Sequence, residues 1–415
     1  MENMKKLKIT YLFLLFSGVV AAQSGQTVNE GILYVSPGTL VSVESDFDNK
    51  GMGEYENNGE VLLKGNFNND GITSFNPALG GYTRFEGYTQ QNITGSIPAD
   101  FYNVLFRNPN PQPAFRLYGD ISISGNADFY QGIVQDDIFG GIIIFEDEAT
   151  HTNTSDESFV DGYAVKNGTT DFSFPIGDGQ YYRYAAISAP DDQSSAFTGK
   201  YYFEDSNMLY PHESRAQEIE IIDNREYWTI DKTGGEADVM ITLSWDEFTT
   251  TPSELLVEST EAIRVVRWDT EAGMWVDEGG VQDMFAKTVT TPVHVSGYGV
   301  FTLGRLRKGY LPTEDIVIYN GLTPDGDGKN DYFYIEGITN HPGNTVQIYN
   351  RWGIKVYETA EYDSNGNVFT GVSSGRATLS QRDRLPAGTY FYVIQYPHRG
   401  TTIKKSGYLY ISSAD

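Results

Sequence analysis

Short apolar stretches closed by asparagine, aspartate and glycine dominate the first half of the chain. Val41-Ser-Val-Glu-Ser-Asp-Phe-Asp-Asn-Lys-Gly51 realigns with Val61-Leu-Leu-Lys-Gly-Asn-Phe-Asn-Asn-Asp-Gly71 at a shift of 20 residues. Tyr55-Glu-Asn-Asn-Gly59 reads as a half-step of the same unit, and Ile121-Ser-Ile-Ser-Gly-Asn126 as a later echo. A short strand, a turn and another short strand at this period predict a β-solenoid, whose coils bury their apolar sides only by stacking. The alternative is a meander of hairpins with an incidental likeness between two of them. Either way the region from 23 to 180 reads as strands. Tyr82 to Gly87, Phe101 to Arg107, Phe115 to Ser124 and the apolar run Ile142 to Phe145 continue the pattern.

Asp171-Phe-Ser-Phe-Pro-Ile-Gly-Asp178, followed by Tyr182-Arg183-Tyr184, places a Pro-Gly turn between two strands and reads as a junction. Beyond it, residues 181–304 predict a second unit, a β-sandwich. Tyr227 to Ile230, Val239 to Trp245, Ile263 to Trp268 and Val300 to Leu303 are apolar over strand lengths, and Asp269 to Gly273 forms a hairpin turn. Trp228, Trp245, Trp268 and Trp275 all fall here. In an exposed row they would make a sugar-stacking platform, and at strand ends they would pack the core or its rim. Arg305 to Thr313, basic and carrying Gly309 and Pro312, reads as the start of a linker over 305–315 and as a place for a protease to cut.

The last hundred residues carry three motifs in order. These are Asn320-Gly-Leu-Thr-Pro-Asp-Gly-Asp-Gly-Lys-Asn-Asp331, Tyr349-Asn-Arg-Trp-Gly353 and Pro386-Ala-Gly-Thr-Tyr-Phe-Tyr392. The first, rich in glycine and short acidic side chains, is a loop rather than helix or strand interior. Val346 to Asn350 and Ile354 to Glu358 form a hairpin across Arg351-Trp352-Gly353, and Thr389 to Tyr396 and Thr402 to Ile411 are longer strands. Short strands without helical periodicity predict a small immunoglobulin-like sandwich over 316–415, which makes the whole chain all-β.

This segment resembles the gliding-motility-associated C-terminal domain of Bacteroidetes, the type B sorting domain of the type IX secretion system. The resemblance implies a sorting and docking motif at Asn320, Thr323, Pro324, Asp325, Gly326, Asp327, Gly328, Asn330, Asp331, Asn350, Arg351, Trp352, Gly353, Gly388, Thr389 and Tyr390. It implies the type IX translocon and an outer-membrane protein of the PorP/SprF type as partners. Two departures stand out. Thr-Pro-Asp-Gly-Asp replaces the more usual Asn before Gly, and Phe369-Thr-Gly371 replaces Trp-Asp-Gly.

Export also fits the other end. Lys5, Lys6 and Lys8 precede an apolar core from Ile9 to Val20, and Val20-Ala21-Ala22 supplies small residues for cleavage between Ala22 and Gln23. About twelve apolar residues are too few to span a bilayer, and with no cysteine in the chain a lipid anchor is excluded. Nor is the fold built on disulfides. The net charge is −27, yet residues 317–415 hold nine basic and nine acidic side chains, so the acidity lies upstream. Such a surface repels nucleic acid and anionic membranes.

Candidate chemistry is sparse. His151, His212, His294, His341 and His398 show no metal-ligand spacing, and there is no nucleophile elbow or phosphate-cradling loop. Asp325, Asp327 and Asp331, with Asn330, form the one metal candidate, for calcium, since alternating carboxylates in a glycine-rich loop can wrap a hard cation. The competing reading is a turn in which these carboxylates accept backbone N–H groups. Three functions remain open. The first is a non-enzymatic surface or secreted protein in adhesion or gliding motility, with a surface or glycan ligand. The second is an accessory component docked on the translocon or motility machinery. The third is a secreted polysaccharide-active enzyme.

Overall fold

The computed structural model describes residues 25–256, 262–310, 316–364, 366–373, 384–398 and 400–412. The signal-peptide reading, with its cleavage point at Ala22 and Gln23, lies outside the described residues. Among these residues the chain is almost entirely β, and no helix is long and apolar enough to cross a membrane.

The N-terminal region is a three-sided parallel β-solenoid. The first coil runs Thr27–Asn29, Ile32–Val35 and Leu40–Val43, one strand on each face; the second runs Phe47–Asn49, Glu54–Asn57 and Glu60–Leu63. The register is the one the 20-residue repeat dictates: Val41 lies beside Val61, Val43 beside Leu63, and Phe47 beside Phe67. Stacking puts equivalent side chains one strand spacing apart, so a repeated residue becomes a ladder. Phe47 and Phe67 stack with ring centroids 5.8 Å apart, and Phe85, Phe106 and Phe129 continue the aromatic column on another face.

Asn29, Asn49 and Asn69 form a second ladder, fully inside the coil. Asn29 Nδ2 donates to Asn49 Oδ1 at 2.8 Å, and Asn49 Nδ2 donates to Asn69 Oδ1 at 2.8 Å. A buried amide is tolerable only with its hydrogen bonds satisfied, and the repeat satisfies them by supplying the next asparagine. Tyr55-Glu-Asn-Asn-Gly59 proves to be a third of a coil rather than half of one, because it occupies the face after Phe47–Asn49. The echo at Ile121 likewise sits on the second face, whereas Val41 and Val61 lie on the third.

The solenoid passes into the sandwich without a break in hydrogen bonding. Its second face ends at Ala164–Asn167, which pairs antiparallel with Ala196–Tyr202. That sheet continues through Tyr227–Gly234, Gly299–Leu306, Ile263–Asp269 and Met274–Gly279. A five-stranded sheet that includes Ala185–Ile187, Ile241–Ser244 and Thr288–Thr290 covers it. A single apolar core runs from Val35 to Leu303 through both regions. The Asp171–Asp178 stretch lies at the changeover, where Phe172–Ser173 leaves for the covering sheet and Ile176–Asp178 completes the first face. Trp228, Trp245 and Trp275 are buried and Trp268 is half-buried, so these four do not form an exposed row. The last strand runs on through Arg305 and Leu306, and Lys308–Tyr310 forms a 3-10 turn.

The C-terminal region has its own core around Phe333, Ile348, Tyr362, Phe369, Tyr392 and Leu409. Its five-stranded sheet is ordered Gly321–Leu322, Thr401–Ile411, Gly388–His398, Thr345–Tyr349 and Lys355–Ala360. The first pair is parallel and the others antiparallel. Val317–Ile318 and Ile335–Glu336 form a separate two-stranded ribbon.

Candidate functional site

The acidic motif folds into a loop tied by its own side chains. Asp331 Oδ1 accepts from Gly326 N at 2.6 Å, and Asp331 Oδ2 from Gly328 N at 2.8 Å. Asp325 Oδ1 accepts from Asp327 N at 3.0 Å, and Asp327 Oδ1 from Lys329 N at 2.7 Å. Gly326 and Gly328 both have φ of +86°, where a side chain would be strained, and Asn330 reaches φ +53°. The loop is closed at its base by Thr323 N donating to Asn330 O at 2.7 Å. Pro324 O accepts from Arg384 Nη1 at 2.9 Å, and Asn320 O accepts from Tyr410 N at 2.8 Å.

Asp325, Asp327 and Asp331 each place one carboxylate oxygen within 4.8 Å of the others, and Asp325 and Asp327 are exposed. The set therefore fits a hard cation in donor type, while its backbone bonds already give it the structure of a capped turn.

The second motif owes its shape to Asn350. Its Oδ1 accepts from both Trp352 N, at 3.0 Å, and Ile354 N, at 2.9 Å, which tightens the hairpin turn. Arg351 lies over the Trp352 ring, 4.4 Å from its centroid. Gly353 faces the His294 imidazole of the sandwich, where a Cβ would come within 2.2 Å of the ring. His294 Nε2 lies 2.5 Å from Trp352 O, and because a carbonyl oxygen can only accept, Nε2 is the donor. Arg351 and Trp352 also line a cleft of about 440 Å³ against Ala186–Ala189, Met240 and Thr290. The hairpin tip thus leans on the body of the protein.

In the third motif Gly388 opens the long strand, Thr389 pairs with Tyr410, and buried Tyr390 donates its hydroxyl to Pro386 O at 2.9 Å. Phe369, the departure from the family pattern, is fully buried beside Tyr357 at 5.0 Å, and its N–H donates to the Tyr362 hydroxyl at 3.0 Å. Burial holds that hydroxyl well above the usual phenol range. The structure thus places the three motifs on the turns and strand ends of one sheet, with the acidic loop and the hairpin tip as separate features.

Sequence reading treated the histidines as scattered, yet His341 and His398 come together at one end of the long hairpin, their centroids 6.0 Å apart. The solenoid surface was also missed. Its third face carries, from coil to coil, Leu40, Glu60, Tyr82 and Asn103 in register. The visible signal was the uneven spacing of glycines at the corners, which marks where turns lengthen.

The chain is thus an all-β body followed by a C-terminal sheet domain whose motifs lie on turns and strand ends. Residues 316–411 match the model of the CHU_C type IX secretion signal domain. The protein is therefore exported by the type IX system and ends at the cell surface or outside the cell. No curated protein and no solved structure matches the chain.

Proposed function

We propose that the protein is a non-enzymatic surface or secreted component that serves adhesion or gliding motility. The observation that carries this reading is the type IX signal domain joined to one continuous solenoid and sandwich core. A stacked-coil body presents a long, rigid side surface, which suits contact with an extended partner. A PorP/SprF-type outer-membrane protein is the proposed receptor for the C-terminal domain. The test is a strain lacking the protein, scored for attachment and for spreading on a surface. Reduced attachment or spreading, restored by the wild-type chain, is the expected result. Normal attachment and spreading in the deletion strain would remove this role.

A second reading has its own support. The Trp352 turn is hydrogen-bonded to His294, so the signal domain is seated on the body, as befits a domain that stays on and docks the protein to the translocon or motility machinery. Stable recovery of the intact chain with the translocon from outer membranes would favour it. A secreted polysaccharide-active enzyme, the third alternative, requires turnover of a polymer by the purified chain.

A further inference from the structure

Where the second face of the solenoid turns into the third, the corners have unequal lengths. The second coil turns in two residues, Asn58 and Gly59, whereas its neighbours take the longer turns at Ser36–Thr39 and at residues 75–81. The tight corner requires glycine, because a Cβ at Gly59 would lie 2.6 Å from the carbonyl oxygens of both Ser36 and Thr39. The result is a notch walled on both sides that opens along the third face, a cleft of about 690 Å³. Its far wall is fixed in place. Asn58 Oδ1 accepts from Asn76 N at 2.6 Å, Asn76 O accepts from Leu79 N and Gly80 N, and Phe75 packs on Tyr102 with centroids 5.4 Å apart.

We infer that this cleft is a binding site for a neutral polysaccharide chain lying along the solenoid axis. Tyr82 and Tyr102 contribute aromatic surface, with Arg84 over the one ring and Phe75 against the other, while Glu60, Asn103, Asn126 and Asp128 contribute carboxylate and amide groups. Aromatic surface beside a few fixed polar groups is the make-up of a ligand site. Here it matches a ring with C–H faces and hydroxyl edges. No lysine or arginine lines the cleft; Arg84, over the Tyr82 ring at 5.8 Å, is engaged by Glu60 and Glu86. Phosphate, sulfate or uronate polymers would meet amide and hydroxyl donors but no lining cation, beside the Glu60 and Asp128 carboxylates of an acidic protein. Glu60–Leu63 and Tyr82–Phe85, the strands at the middle of the cleft, are each paired on both sides, so within the cleft a peptide could add itself as a strand only at the Leu40–Val43 edge of this face. The lining reaches from Leu40 to Asn126 across five successive coils. At about 4.8 Å per strand spacing this is roughly 19 Å, long enough to favour a chain over a single sugar.

This inference rests on the surface role proposed above and names its ligand class. The test is affinity electrophoresis of the full mature chain in gels containing xyloglucan, galactomannan, laminarin or dextran, with polygalacturonate as the charged comparison. Retardation by at least one neutral polymer and none by polygalacturonate is expected. Tyr102→Ala and Asp128→Ala should each weaken the retardation on the order of tenfold, about 1.4 kcal/mol, with circular dichroism confirming the fold. Tyr88→Ala, at an exposed tyrosine outside the cleft, should leave it unchanged. No retardation by any neutral polymer, preference for polygalacturonate, or full binding by both cleft variants would each overturn the site. Adhesion by cells whose protein binds no polymer removes the cleft alone. Polymer binding by a protein whose loss leaves adhesion intact removes only the surface role.

Discussion

The solenoid and the C-terminal domain are both β, yet they hold themselves together in opposite ways. In the solenoid a side chain is meaningful because it recurs. Asn49 has its place only because Asn29 lies one coil before it and Asn69 one coil after, each giving or taking one amide bond. In the C-terminal domain a side chain is meaningful because it is singular. Asn350 ties two N–H groups of its own turn and involves no neighbour from another repeat. Bonding between successive coils makes a long surface of one kind, and bonding within a turn makes a unique exposed shape. A signal read by a secretion machine needs the second property and a surface for an extended partner needs the first.

The largest expected effect separates the two regions outright. Removing residues 320–415 should leave the chain in the periplasm, measured by fractionation and surface proteolysis. Surface display of the truncated chain would show that the solenoid itself carries an export signal. Next comes cooperativity. The solenoid and sandwich share one core whereas the C-terminal core is separate, so denaturant should resolve two transitions. Asn49→Ala strips the shorter of two acceptors from buried Asn29 Nδ2 and one of two donors from Asn69 Oδ1. It should lower the stability of the first transition by about 3 kcal/mol and leave the second in place. A shift of both would mean that the two regions unfold as one.

How much of this was legible differs by region for the same reason. The aligned pair at Val41 and Val61 gave the register of the third face directly, because in-register stacking converts period into pairing. A further copy, Thr27-Val-Asn-Glu-Gly31, went unread because its apolar position is a threonine, although its asparagine opens the ladder. The later coils were not legible as repeats: Phe67 aligns with Ile93, 26 residues on, because longer corners break the period while the strands stay in register. Continuity of the sheet from Ala164–Asn167 into Ala196–Tyr202 was hidden too, since pairing across a junction leaves no local pattern. In the C-terminal domain the turns were legible residue by residue, whereas the seating of Gly353 on His294 was not, because it depends on a residue 59 positions away.

A smaller effect concerns pH and belongs to the solenoid's end. Burial, with Asp178 and Asp137 nearby, pushes the Asp161 carboxyl up from 3.8 to about 6. Burial likewise raises Asp136 beside it. A carboxyl raised in the folded state binds its proton more tightly there than in the unfolded chain. Its contribution to stability is therefore complete below pH 3.8 and lost as pH rises through about 6. Asp161→Asn should cancel that loss, raising the stability of the first transition at pH 7 relative to wild type by about 2 kcal/mol, with little difference at pH 4. An equal effect at both pH values would show that the substitution acts through packing rather than charge.

The smallest effects lie in the acidic loop and ask whether a turn this local needs anything outside itself. Asp331 accepts two backbone N–H groups and Asp327 one. Asp331→Ala should therefore loosen the loop more than Asp327→Ala, by about 1–2 kcal/mol against about 1 kcal/mol or less for exposed bonds. Hydrogen exchange at Gly326 and Gly328 reads this directly, because local opening governs exchange in an exposed loop whatever the global stability. With these bonds closing the loop, exchange in the wild-type chain should be the same in calcium and in chelator. The three carboxylates are close enough for a cation to reverse that expectation. Calcium at a hundredfold excess over its Kd would stabilise the closed loop by about 2.7 kcal/mol, slowing exchange roughly a hundredfold. Protection of that size, lost in Asp327→Ala, would make the loop a cation site and the C-terminal domain dependent on something beyond its own turns.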